Sequence, residues 1–381
     1  MSIRIGDRGS RIAALSALLL LPLLLPAVAP AQNGGTGGDA TVLVGTYTRG
    51  ILVLDEKTMK VVDTMKVSIG TPYQMVLSMD RSRLYTTDPY AEKVEVFDVA
   101  SRKAVDKFTL TEGNKRVRIS GLNVDPKHRF AVLLIKSITK KIDRFEISAP
   151  KLVKYDLATH KVTDTIPWPR GEERDNARIL FSPSGDNLYF FTNDDILIYD
   201  ANTMKQVDRW DYASPIEQGM GRFNFGFPAD VYEEPGFYTG LFRITDPVQN
   251  RQLMGVARVN LERRTVESFY TLGPSGPTGL ALSPDRRRGW GIRQEIGLYE
   301  FWTFDLEARR VAGRTQFNGR PRMGLTPSSN GRYLYIHTAG PTIDIYDSQT
   351  FRLVRTVDLA ADMTRFMVVP RTAPAPAGAN R

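Results

Sequence analysis

One phrase recurs seven times along this chain, and nothing else in the sequence limits its fold as sharply. An apolar strand ends in Asp or Asn, a few turn residues follow, and a basic or polar residue then leads into valine. The copies are ILVLDEKTMKVV from Ile51, VEVFDVASRKAV from Val94, LVKYDLATHKV from Leu152, ILIYDANTMKQV from Ile196, VARVNLERRTV from Val256, FWTFDLEARRV from Phe301 and IDIYDSQTFRLV from Ile343. The markers Asp55, Asp98, Asp156, Asp200, Asn260, Asp305 and Asp347 stand 42 to 60 residues apart. A second phrase precedes several of them: SMDRSRLY from Ser78, VDPKHRFA from Val124, SPSGDNLY from Ser182, SPDRRRGW from Ser283 and TPSSNGRYLY from Thr326. Pro, Asp, Ser and Gly supply a turn there, and the alternation that follows supplies a half-buried strand. A four-stranded unit repeating every 40 to 50 residues or so is a propeller blade. Seven copies predict an all-β chain, a seven-bladed β-propeller of four-stranded antiparallel blades.

The ends of the repeat array predict how the ring closes. TVLVGTY (Thr41 to Tyr47) runs straight into the first phrase, so the first blade lacks its innermost strand. TRFMVVP (Thr364 to Pro370) follows the seventh phrase and can pair beside Val42 to Thr46, which removes an exposed strand edge. The longest marker intervals, Asp98 to Asp156 and Asp200 to Asn260, predict insertions that project from the ring. Because the Asp and Asn markers repeat at equivalent places, they read as turn formers rather than as a unique chemical site.

Outside the array, residues 1–31 read as a signal peptide. Arg4, Arg8 and Arg11 open it, an apolar stretch from Ile12 to Leu25 follows, and Ala29-Pro30-Ala31 supplies small residues for cleavage near Ala31. The expected organisation is then a flexible linker over 32–40, the propeller over 41–370 and a disordered Ala/Pro tail over 371–381. Export makes a nucleic-acid reading of the +9 formal charge unattractive, and the basic residues are scattered rather than clustered.

Composition narrows the chemistry. The chain has no cysteine, so thiolate metal sites, thiol nucleophiles, C-x-x-C-H haem attachment and thioether crosslinks cannot arise from its own residues. His128, His160 and His337 are its only histidines. No catalytic residue and no metal site is assigned. Thr192-Asn193-Asp194-Asp195 offers oxygen atoms of the kind Ca²⁺ takes, but a polar turn between strands accounts for it better.

A family resemblance emerges at the insertions. The run RFEISAP (Arg144 to Pro150) ahead of a blade strand is similar to the insertion in the β subunit of quinohemoprotein amine dehydrogenase. FYTGLFRITDPVQNRQLMGVARVNLERRTVES from Phe237 and GLALSPDRRRGWGIRQEIGLYEFWTFDLE from Gly279 resemble successive blades of that subunit. The shorter phrases are shared with YVTN-type propellers in general. The resemblance implies a non-catalytic subunit of a periplasmic complex that oxidises primary amines. In that complex a quinone-bearing small subunit carries cysteine tryptophylquinone, and a dihaem cytochrome c subunit carries haem c. The β propeller holds both partners and walls the substrate cavity, and no cofactor is bound by this chain. The alternative is a stand-alone YVTN-type propeller that binds a ligand or hydrolyses a lactone or ester.

Blade geometry also nominates contact residues. Connections into innermost strands and hairpins between second and third strands emerge on one face beside the channel. That face is expected to collect Tyr73, Asp88, Tyr90, Asn193, Arg293, Glu295, Arg320, Arg322 and His337, with Arg144, Phe237 and Tyr238 added from the insertions. Tyr and Arg make good interface anchors because they combine large contact area with hydrogen-bond donors.

Overall fold

Each of the seven markers ends a strand and ties the turn behind it. Asp55 Oδ1 accepts hydrogen bonds from the Thr58 amide and hydroxyl, both at 3.0 Å. Ser101 serves Asp98 in the same way, Thr159 serves Asp156, Thr203 serves Asp200 and Thr350 serves Asp347. Asn260 and Asp305 accept from the amides of Arg263 and Ala308. These donors, the backbone amides foremost, hold the carboxyls of Asp98, Asp156 and Asp200 below the ordinary carboxylate range. The fourth residue after every marker is left-handed without being glycine: Met59, Arg102, His160, Met204, Arg264, Arg309 and Phe351 have φ between 53° and 60°. Such a conformation costs about 1–2 kcal/mol, which the hydrogen bonds of the turn offset.

In the computed structural model, which describes residues 38–173, 178–192, 195–211, 219, 221, 223–228, 233–277 and 279–371, the strands form seven antiparallel sheets. From the axis outward, blade 1 is Met363–Val369, Thr41–Thr46, Gly50–Asp55 and Lys60–Met65. Thr41 faces Val369, Val44 faces Phe366 and Thr46 faces Met363, so the last strand completes the first blade in the predicted pairing. Blades 2, 3, 4, 5, 6 and 7 begin with the innermost strands Gln74–Leu77, Lys115–Val124, Arg178–Phe181, Phe223–Pro228, Ala281–Leu282 and Gly324–Pro327. The chain is a seven-bladed β-propeller.

The core lies between blades rather than within them. Leu52 and Leu54 of blade 1 pack with Tyr335 and Ile345 of blade 7, whereas the intervening Ile51 and Val53 pack with Leu77 and Phe97 of blade 2. In blade 4, Leu188 and Phe190 meet Phe130 and Leu134 of blade 3, while Tyr189 and Phe191 meet Phe225 and Tyr238 of blade 5. Similar clusters join blades 2 and 3, 5 and 6, and 6 and 7, which completes the ring. This corrects the half-buried expectation for the strands after the turns. The second and third strands of a blade pack on both faces, so apolar residues can fill consecutive positions, as in Val42–Val44 and Ile51–Leu54. The outermost strands are largely exposed; Lys60–Met65 is exposed except at Met65.

Much of the two long marker intervals is taken up as longer strands. Blade 3 extends its first two strands to 10 and 11 residues, and Phe145–Ile147 folds back to pair with Ile138, Thr139 and Lys140 as a short fifth strand. Blade 5 has three described strands of 10 residues each, Phe237–Asp246, Arg251–Asn260 and Thr265–Pro274. The expected signal peptide and most of the linker and tail lie outside the described residues.

Candidate functional site

The innermost strands of six blades surround a cavity of about 740 Å³ on the ring axis, within the size range of small-molecule sites. Met75 and Leu77, Leu122, Ile179 and Phe181, Leu280, Leu325 and Phe366 supply an apolar wall. Polar groups gather towards its two mouths. Every innermost strand runs in the same sense along the axis. Arg178, first in its strand, and Arg365, third in its strand, therefore stand near the mouth at which those strands begin. Glu233 lies on the connection between the first and second strands of blade 5, which places it at the other mouth.

His337 ends the second strand of blade 7 and so belongs to the same mouth as the two arginines. Its ring stacks on Phe366 with centroids 4.7 Å apart, and Nε2 stands 3.4 Å from Thr326 Oγ1. Gly324 is directly opposite in the strand pairing, and a Cβ there would overlap the imidazole. Burial in the wall, with the positive charge of Arg365 added, pulls the His337 pKa down to about 3. The ring is therefore neutral at physiological pH. Arg178 donates to the Gly226 carbonyl at 3.1 Å, and burial lowers its pKa as well.

The predicted contact residues divide by environment. Tyr73 and Tyr90 are exposed on the face where the arginine-bearing mouth opens, and the Arg116 guanidinium lies 5.8 Å from the Tyr90 ring centroid. Asp88 is buried and accepts from the amides of Glu92 and Lys93 at 2.7 and 2.9 Å, so its carboxylate forms the turn beneath Tyr90. Arg144 pairs within its own hairpin with Asp143 and Glu146. Arg293 grips Glu295 at 2.9 and 3.0 Å. Arg320 donates to Thr342 and Asp344 of its own blade, and Arg322 is an exposed left-handed turn residue with φ 59°. Asn193 lies outside the described residues.

Phe237 and Tyr238 stand apart from that set. They begin a second strand, and Asp246, at the other end of it, is next to the face on which the tyrosines lie. Phe237 lies under the Arg258 guanidinium, 4.0 Å from its ring centroid. Tyr238 is fully buried, stacked on Phe191, with its hydroxyl donating to Gly226; burial pushes its phenol pKa up. Both aromatics open a strand that leads into the core, and Tyr238 also lines the channel cavity. Asp195, from the oxygen-rich turn, is fully buried and bound by Arg170, Arg209 and the Thr192 hydroxyl, an arrangement that holds the turn together.

Sequence reasoning missed the channel arginines and the apolar display around them. Ile142, Phe145 and Ile147 of the blade 3 flap are exposed, as are Tyr47 and Ile296 at hairpins between second and third strands of blades 1 and 6. The available signal was a charged residue within an otherwise apolar innermost strand, as in TRFMVV, whose following side chains pack alternately against the two neighbouring blades.

No protein-family model matches the sequence, and no curated protein matches it. Solved structures share its architecture. Dihydro-heme d1 dehydrogenase NirN in complex with DHE is 11% identical, with a TM-score of 0.51 over 90% of this chain and 77% of that one. A functionally unknown protein from Desulfotomaculum acetoxidans DSM 771 is 13% identical, with a TM-score of 0.52 over 87% of this chain and 99% of that one. At such identities the likeness is one of fold.

Proposed function

We propose that this chain is the non-catalytic β subunit of an exported, periplasmic complex of the quinohemoprotein amine dehydrogenase kind. In this reading it holds a quinone-bearing small subunit and a dihaem cytochrome c subunit and walls the substrate cavity between them. The observation that carries the reading is the blade 3 flap. It sets Ile142, Phe145 and Ile147 in solvent on the face that also displays Tyr73 and Tyr90. Grouped apolar and aromatic side chains on one face are the usual mark of a protein-binding surface.

Two further features favour a platform over a hydrolase. Buried carboxylates serve the ring itself: Asp125 with Arg129, Asp195 with Arg170 and Arg209, Glu234 with Arg258. The chain also lacks the cysteine that a quinone crosslink or covalent haem needs, so both groups belong to partners. The overall change would be amine plus water to aldehyde plus ammonia, with two electrons and two protons leaving through the partners.

Activity of the separated and assembled proteins tests this. The purified chain should be colourless and should not reduce an artificial acceptor when given a primary amine; co-expression with quinone- and haem-bearing partners should restore that reduction. A single-chain preparation that hydrolyses lactones at ordinary enzymatic rates would favour the stand-alone reading instead.

A further inference from the structure

The blade 3 flap has two chemically different sides. It is built from the far ends of Lys115–Val124 and Phe130–Lys140 together with Phe145–Ile147. The register sets Arg118 opposite Lys136, Arg116 opposite Ile138, Ile138 opposite Ile147 and Lys140 opposite Phe145, so these residues share one side. Glu146 is opposite Thr139 on the other side, where it pairs with Arg144 at 2.8 Å and Lys141 at 3.4 Å. Asp143, in the turn, pairs with Arg144 at 3.1 Å. Both carboxylates of the flap are therefore spent away from the basic side. Of the cations on that side, Arg116 pairs with Glu92 at 2.9 Å and Lys136 is engaged within the chain. Arg118 and Lys140 are exposed and form no ion pair among the described residues. Beside them Phe145 and Ile147 are 66% and 64% exposed.

We infer that this side of the flap docks on an acidic protein surface with an apolar centre, carried by a partner that the propeller holds. The inference rests on the partner-platform reading and adds the chemistry of the surface that the flap meets. Phe145 and Ile147 enter the apolar centre, and Arg118 and Lys140 meet carboxylates at its rim. Such complementarity steers encounter and fixes register, and it rejects surfaces that carry cations of their own. An anionic lipid surface suits the flap less well. Asp143 follows Ile142 at the tip, so inserting the tip would carry a carboxylate into the lipid headgroups.

Recovery of candidate quinone- and haem-bearing subunits on the tagged full chain tests the inference, read as haem c absorbance and as partner bands in the eluate. With wild-type protein, recovery should fall about tenfold between about 0.1 M and about 1 M NaCl, as the screening length shrinks from about 10 Å to about 3 Å. Arg118→Glu combined with Lys140→Glu should lower recovery about tenfold at the lower salt, with the melting temperature unchanged. Lys60→Glu combined with Lys161→Glu makes the same change of net charge at exposed positions of outermost strands and should leave recovery as it is. Equal recovery at both salt concentrations, or undiminished recovery on the folded Arg118→Glu/Lys140→Glu chain, would overturn the acidic surface and leave the platform reading standing. No partner at either salt concentration would remove both. Flotation of the purified chain alone with phosphatidylglycerol vesicles, lost in the same double variant, would overturn the inference in favour of lipid.

Discussion

Tyr335 of blade 7 donates its hydroxyl to Glu56 Oε1 of blade 1 at 3.0 Å, across 279 residues of sequence. Glu56 is fully buried and also accepts from the Ala40 amide at 2.9 Å, the Ser329 amide at 2.8 Å and the Ser329 hydroxyl at 2.5 Å. One carboxylate therefore joins the first and last blades from the side, while Met363–Val369 joins them through the backbone. Removing it would strand several donors in a dry seam. Glu56→Ala should lower stability by about 3 kcal/mol, with Glu56→Gln losing less because the amide still accepts. Equilibrium urea unfolding of both variants checks this; an Ala variant as stable as wild type would refute the role of the seam.

Truncation separates closure by the strand from the tail beyond it. Deleting 364–381 should expose the edge of Thr41–Thr46, strip the Phe366 and Val368 contacts from the seam between blades 7 and 1, and lower the melting temperature sharply. Deleting 372–381 should leave it within about 1 °C of wild type, because that segment has no strand pattern. Equal melting temperatures for the two truncations would contradict the closure.

The low pKa of His337 makes stability depend on pH. Its value in the folded protein is about 3, against an ordinary 6.5, so the unfolded state binds the additional proton between those values. The contribution of neutral His337 is fully present above pH 6.5 and is lost as the pH falls towards 3. The melting-temperature advantage of wild type over His337→Gln should shrink between pH 7.5 and pH 4.5. An advantage constant across that window would show that the imidazole is not held neutral.

Export is checked at the N-terminus. Mature protein recovered from the periplasmic fraction should begin at or near Gln32, after the Ala29-Pro30-Ala31 signal. N-terminal sequencing that finds Met1 on the recovered protein would contradict it.

The ring was legible because each blade repeats one local solution, and Asp55 or Thr203 performs the same turn chemistry wherever its phrase recurs. Closure was legible because TRFMVVP is a strand with no blade of its own. The seam and the channel were not. Glu56 follows Asp55 in a turn and reads as a solvated acid until blade 7 is placed beside it. Arg365 sits near the start of an apolar strand whose alternate residues pack against blade 7 or blade 2, and only the closed ring shows that it lines the channel. Tyr238 has two roles that the sequence does not separate, since its ring packs in the core between blades 4 and 5 and also lines the channel cavity.

Recovery of haem on the tagged propeller tests the partner-platform reading most directly. Cells making the tagged chain with candidate quinone- and haem-bearing subunits should yield an affinity eluate with the absorbance of haem c. Replacing Arg144 to Ala149 by a short Gly/Ser link removes Phe145 and Ile147, which are exposed and contribute little to the core. The variant should melt like wild type yet lose most of the haem from the eluate. Equal haem recovery on the wild-type and variant propellers, with both rings folded, would remove the flap from the interface and contradict the account; so would an eluate from wild type that contains this chain alone.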